Sequence, residues 1–189
     1  MELGFTIATI TMVLFGILAT YDGFYLHIFK YRLYEHPERK FEHLSHTVRA
    51  ILFPFILYYL FLSNSLTAFY IGLLFVVLDV LTMGVDAYVE KDSRAFMGGL
   101  PRWEYIVHLF VNGFHFASIA VFLMLKLDIE QGSIIVRNEF EAINAYNGFI
   151  WLIENLIPGA IVMGLLHIMV AFKTSASLWN KARNKITCC

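Results

Sequence analysis

The sequence predicts an all-α polytopic membrane bundle of five transmembrane helices, and three observations predict it. Of 189 residues, 59% are hydrophobic and 15% charged, with a mean hydropathy of +0.66, a balance that does not suit a soluble globular domain. The apolar residues also come in blocks long enough to cross a hydrocarbon core, which takes about 20 helical residues. Inside these blocks a set of polar residues occurs twice, and internal repeats are among the most informative signals a chain carries.

The blocks run over residues 3–29, 47–62, 66–85 (continuing to Glu90), 105–127 and 148–172. They make one integral-membrane domain, 1–189, divided into repeat A (about 1–64), repeat B (about 65–127), an outer loop with a fifth helix (about 128–173) and a tail (174–189). Met1-Glu2-Leu3 offers no basic n-region, so the first block reads as a span and not as a signal peptide. Lys30, Arg32, Arg39, Lys40 and Arg49 flank the first connection, Lys91, Arg94 and Arg102 the third, and Lys173, Lys181, Arg183 and Lys185 follow the last span. Only Lys126 and Arg137 fall on the other side. The positive-inside rule then sets the N-terminus outside and the C-terminus in the cytoplasm. The terminal Cys188 and Cys189 form no disulfide framework. They read either as a lipid acceptor or as the end of an unstructured tail.

Taken in order, the first span ends with Asp22 and His27. Pro37 interrupts the connection that follows. The second span opens with Glu42, His43 and His46 and passes through Pro54, where a kink is expected. It ends at Ser63-Asn64-Ser65, a tight turn that makes spans two and three antiparallel neighbours. The third carries Asp79, Asp86 and Glu90. Gly98-Gly99-Leu100-Pro101 precedes the fourth, which carries Glu104, His108 and His115. Residues 128–147 hold Glu130, Glu139 and Glu141, and an interfacial helix is expected there. The fifth span, with Glu154, Pro158 and His167, has no counterpart in the repeat.

The repeat itself is Phe41-Glu42-His43-Leu44-Ser45-His46 echoed by Trp103-Glu104-Tyr105-Ile106-Val107-His108, each preceded by a basic residue, Lys40 or Arg102. Upstream, Tyr21-Asp22-Gly23-Phe24 matches Val85-Asp86-Ala87-Tyr88. At about 1.5 Å rise per residue, all six repeated residues fall in one layer near the cytoplasmic ends of the spans. Glu and His four apart share a helix face. A pseudo-two-fold axis along the membrane normal brings Asp22, Glu42, His46, Asp86, Glu104 and His108 to the bundle centre. Carboxylates and imidazoles in such helices are costly unless paired or given a function, and mixed oxygen and nitrogen donors suit iron, manganese or zinc.

The expectation is therefore two metal ions on these six residues, iron first, with manganese or zinc as alternatives. His43, Glu90, Asp79 and His115 are candidates for additional or supporting roles. Asp79 and His115 lie at similar depth and suggest a mutual pair. His27 and His36 read as solvated residues near the water interface. Tyr21, Phe24, Tyr88 and Trp103 read as interfacial aromatics, and Arg49, Arg94 and Lys91 as anchors of the cytoplasmic face or head-group contacts. Soluble di-iron carboxylate proteins hold their metals on four-helix bundles in a similar way, but through Glu-x-x-His, where this chain uses spacing four.

Function on this reading is oxidation of a lipid or other hydrophobic substrate by a membrane-embedded dimetal enzyme. The partners expected are the bilayer and that substrate, with no nucleic acid. Zinc instead of iron turns the same residues toward hydrolysis. A metal-ion or proton transporter built on the same cluster and a b-type cytochrome with haem between histidines are the other classes.

Overall fold

The computed structural model describes residues 1–95 and 98–187. The chain is helical apart from one short hairpin, and five of its helices are long and apolar enough to cross a membrane: Glu2–Lys30, Pro37–Leu62, Leu66–Glu90, Arg102–Lys126 and Asn144–Ala171. These helices are compatible with an integral membrane protein. Their outward faces carry large apolar side chains such as Ile17, Leu81, Leu109 and Leu165.

Helix α1 (Glu2–Ala19) is apolar on every side, and its threonines close their own hydrogen bonds: Thr6, Thr9, Thr11 and Thr20 each donate to the carbonyl four residues back. That satisfies their hydroxyls without water. From Thr20 to Lys30 the helix widens to π geometry, ending with the Tyr31 N–H on the Leu26 carbonyl five residues back. Arg32, at φ 52°, and Pro37 break the helix before α2 (Lys40–Ile56). Pro54 removes a backbone donor from α2, and the helix opens into a second π segment, Leu57–Leu62, just beyond it. Ser65 caps α3 (Leu66–Ser93) by accepting from the Ala68 N–H at 3.0 Å.

Helix α4 (Arg102–Lys126) follows Pro101. In place of the interfacial helix expected after it stands a β-hairpin, β1 (Leu127–Glu130) and β2 (Ser133–Val136). Its turn, Gln131-Gly132, has positive φ at both residues, the geometry that matches the twist of the flanking strands. Helix α5 (Asn144–Ala171) is capped by the first turn of α1: the Glu2 carboxylate accepts from the N–H groups of Asn144 and Ala145. The segment beyond carries a helix, α6 (Lys173–Thr187), held by the Tyr34 hydroxyl on Asn180, by Asn180 on Glu35, and by Arg183 on the Phe29 carbonyl. Cys188 and Cys189 lie outside the described residues, as does the Lys91 side chain.

Packing joins one half of the chain to the other. Helix α1 packs on α4, α2 on α3, and α5 lies against both α1 and α2. Antiparallel contact of α2 with α3 follows from the short Ser63–Ser65 turn, as the sequence predicts. The inner seam of α3 is Gly72, Asp79, Asp86 and Ser93, one every seven residues, facing Leu60, Arg49, Ser45 and Glu42 of the second span. At one end of the bundle the core is aromatic, with Phe5, Phe61, Phe122, Phe140, Tyr146 and Phe149 packed edge to face. The other end holds the cluster of buried carboxylates and histidines.

Candidate metal centre

Each repeated aspartate meets a repeated histidine from the opposite half. Asp22 on the first helix lies 2.9 Å from His108 Nε2 on α4, and Asp86 on α3 lies 3.3 Å from His46 Nε2 on α2. Ser45 donates a further hydrogen bond to Asp86. The second nitrogen of His108 lies 2.8 Å from the Glu90 carboxylate.

His27 stands between these pairs. It is fully buried, not solvated as its position near a helix end suggests, and the reason is the π turn. Five residues along an α-helix rotate a side chain by about 140°, whereas i→i+5 bonding stacks residues five apart. Asp22 and His27 are five apart, and His27 Nε2 lies 3.4 Å from Asp22 Oδ1. The His27 ring packs on His46 with centroids 4.0 Å apart and lies 5.7 Å from His108. Neither of its ring nitrogens has a hydrogen-bond partner. Two three-donor groups result, Asp22 with His27 and His108, and His27 with Glu42 and His46, the atoms of each within 4.8 Å of one another.

The two repeated glutamates are drawn together by a cation. Arg94, which the sequence suggests as an anchor at the membrane face, is fully buried: it donates from Nε and Nη2 to Glu42 Oε1 at 3.0 and 2.7 Å. The same Nη2 lies 2.9 Å from Glu104 Oε1. Ser93 also donates to Glu42, and the guanidinium lies over the Tyr31 ring. Burial works against the Arg94 charge, but the Glu42 and Glu104 carboxylates outweigh it, so its pKa is raised. Glu42 thus belongs to one donor group and also to the ion pair, while Glu104 is set against Arg94 and outside the donor groups. Asp86 likewise stands beside His46, outside both groups.

Deeper in the bundle, Asp79 and His115 meet at 3.3 Å, and Arg49 donates from Nε to Asp79 and from Nη2 to Asn112. Arg49 is therefore tied into the interior instead of anchoring a surface. His43 stacks on His167 of the fifth helix, with ring centroids 5.5 Å apart. His167 enters no repeat, and its only sequence signal is a histidine in an apolar span. His36 is half-buried near the helix end, beside Glu38.

Two cavities reach the cluster from opposite sides. One, of about 340 Å³, lies among α1, α2 and α5 and is lined by Asp22, His46, Arg49, Asp79, His115 and His167 together with apolar side chains. The other, of about 370 Å³, lies toward α3 and α4 and touches Asp22, His46, Arg49, Asp86, Glu90 and His108. Asp22, His46, Arg49 and Val111 line both. Comparison of the chain with protein-family models, curated proteins and solved structures finds no match.

Proposed function

We propose that this chain is an integral-membrane, metal-dependent enzyme that oxidises a lipid or other hydrophobic substrate, its N-terminus outside and its C-terminus in the cytoplasm. Two metal ions, iron first, are held by the donor groups that meet at His27. The observation that carries the reading is His27 itself: a fully buried imidazole with no hydrogen bond at either nitrogen, its Nε2 3.4 Å from Asp22, at the junction of two three-donor groups. Buried polar atoms without partners are rare and call for an explanation such as an ion. Charge supports the same reading. Asp22, Glu42, Asp86, Glu90 and Glu104 surround the centre, and Arg94 pairs with two of them, Glu42 and Glu104. An acidic excess among buried helices needs further cations.

Asp22, Glu42, His27, His46 and His108 would hold the ions; Glu90 would orient His108, as supporting carboxylates orient metal-bound imidazoles. Iron, when bound, would supply oxygen activation. The overall change places one atom of dioxygen in a substrate C–H bond and reduces the other to water, with two electrons and two protons from a separate donor. The reciprocal pairs Asp22–His108 and Asp86–His46 fit a duplicated unit related by a pseudo-two-fold axis.

The other classes fit less well. A cation path through these cavities would run past two guanidiniums already committed to ion pairs, Arg49 with Asp79 and Arg94 with Glu42 and Glu104, and would have to open those pairs. Axial haem ligands aim their ring nitrogens at one iron, whereas His43 and His167 stack face to face and His27 packs on His46.

The test is oxygen uptake by iron-loaded protein in proteoliposomes supplied with a reductant. Uptake above that of protein-free vesicles, abolished in His27→Ala, is the expected result. Iron flux into the vesicles without oxygen uptake would overturn the reading in favour of transport.

A further inference from the structure

We infer that the substrate is a single-chain amphiphile with a neutral polar end, and that it enters sideways from the bilayer between α1 and α5. This rests on the reading of the chain as a membrane enzyme acting at the His27 cluster. The 340 Å³ cavity is the route. Its mouth is formed by Gly16 and Thr20 on the first helix and by Asn155 and Gly159 on α5, of which Thr20, Asn155 and Gly159 are exposed on the outer face. A Cβ at Gly159 would meet nothing within 4 Å, so the gap there is open. From the mouth, Phe15, Phe53, Leu156 and Ala160 make an apolar wall, and the cavity ends at Asp22 and His46 of the candidate centre.

The polar atoms inside define the head group. Asp79 neutralises Arg49, and Asn112 takes a second N–H from it. His115 and His167, 2% and 1% exposed, each keep a ring nitrogen with no partner, and both line the cavity. Donors and acceptors are thus offered without a surplus cation, and Asp22 adds negative charge. A phosphate or carboxylate is repelled by that balance, while an alcohol, aldehyde or amide is matched by it. The volume lies at the small end of ligand-sized cavities, enough for one chain and not for a two-chain phospholipid.

The experiment uses a diazirine-bearing long-chain alcohol and, in parallel, a diazirine-bearing phosphatidylcholine, photolysed with the protein in nanodiscs and mapped by peptide mass spectrometry. The alcohol should label cavity residues such as Phe53 and Ala160, in a manner competed by unlabelled alcohol. In Gly159→Phe that labelling should fall at least tenfold, with metal content and thermal unfolding as in the parent chain. Undiminished labelling in Gly159→Phe, or label confined to outward residues such as Val162 and Leu165, would overturn lateral entry. Equal cavity labelling by phosphatidylcholine would overturn the single-chain assignment. Cavity labelling by the alcohol in a protein that binds no metal would support this inference and overturn the metal reading instead.

Discussion

Arg94 has no access to water, and its guanidinium is held by Glu42, Glu104 and the Tyr31 ring. Removing one partner of such a group leaves opposite charges buried and alone, at a cost of about 3–5 kcal/mol. Arg94→Ala is therefore expected to lower stability by that order in detergent-solubilised protein, measured by thermal unfolding, and Arg94→Lys by less. An unchanged transition in Arg94→Ala would contradict the buried pairing. Four members of the two donor groups, Asp22, Glu42, His46 and His108, stand out at this scale because duplicated chemistry is conspicuous in an apolar chain; Asp86 and Glu104, which the same repeat singles out, lie outside those groups. His27 and Arg94 do not stand out. His27 was hidden because a π turn shifts which residues share a face, and no simple residue pattern announces a π turn. Arg94 was hidden because basic residues at helix ends ordinarily snorkel to the interface, and only the fold reveals two glutamates waiting inside.

Among the elements, α3 depends most on a single small residue. A Cβ at Gly72 would lie 2.7 Å from the Leu60 backbone nitrogen, and without a solvophobic force between helices in lipid, close backbone approach is what holds such pairs. Gly72→Ala should separate α3 from the second span and cost about 1–3 kcal/mol by overpacking. Gly84→Ala, whose Cβ meets nothing within 4 Å, is the matched control and should be neutral or stabilising in the same unfolding assay. Equal behaviour of the two would argue against the seam. The helices themselves were legible from length and hydropathy, and the α2–α3 neighbourhood from the Ser63–Ser65 turn. The hairpin was missed although Leu127-Asp128-Ile129-Glu130 alternates and Gln131-Gly132 is a turn signal, because acidic residues downstream suggested an interfacial helix. The amphipathic pattern of α6, with Ala176 and Trp179 turned toward the bundle, is present in the sequence, but its polar, basic composition after the last apolar block does not by itself separate a docked helix from a solvated one.

Across the whole molecule, an aromatic plug closes one end of the bundle and the ionisable cluster occupies the other, near most of the Lys and Arg residues. The proposed orientation predicts that, with Cys188 and Cys189 replaced by serine, a cysteine at Ser177 reacts with an impermeant maleimide only from the cytoplasmic side, and one at Gly132 only from outside; the reverse pattern would contradict it. The central claim is that the junction at His27 is a metal site, and elemental analysis of chelator-free purified protein tests it most directly. Beside the parent chain stand His27→Ala and the control His36→Ala, a half-buried histidine outside both donor groups. About two iron atoms per chain in the parent and in His36→Ala, lost in His27→Ala with the fold retained, is the predicted result. Absence of stoichiometric metal from the parent chain, or full retention in His27→Ala, would contradict it.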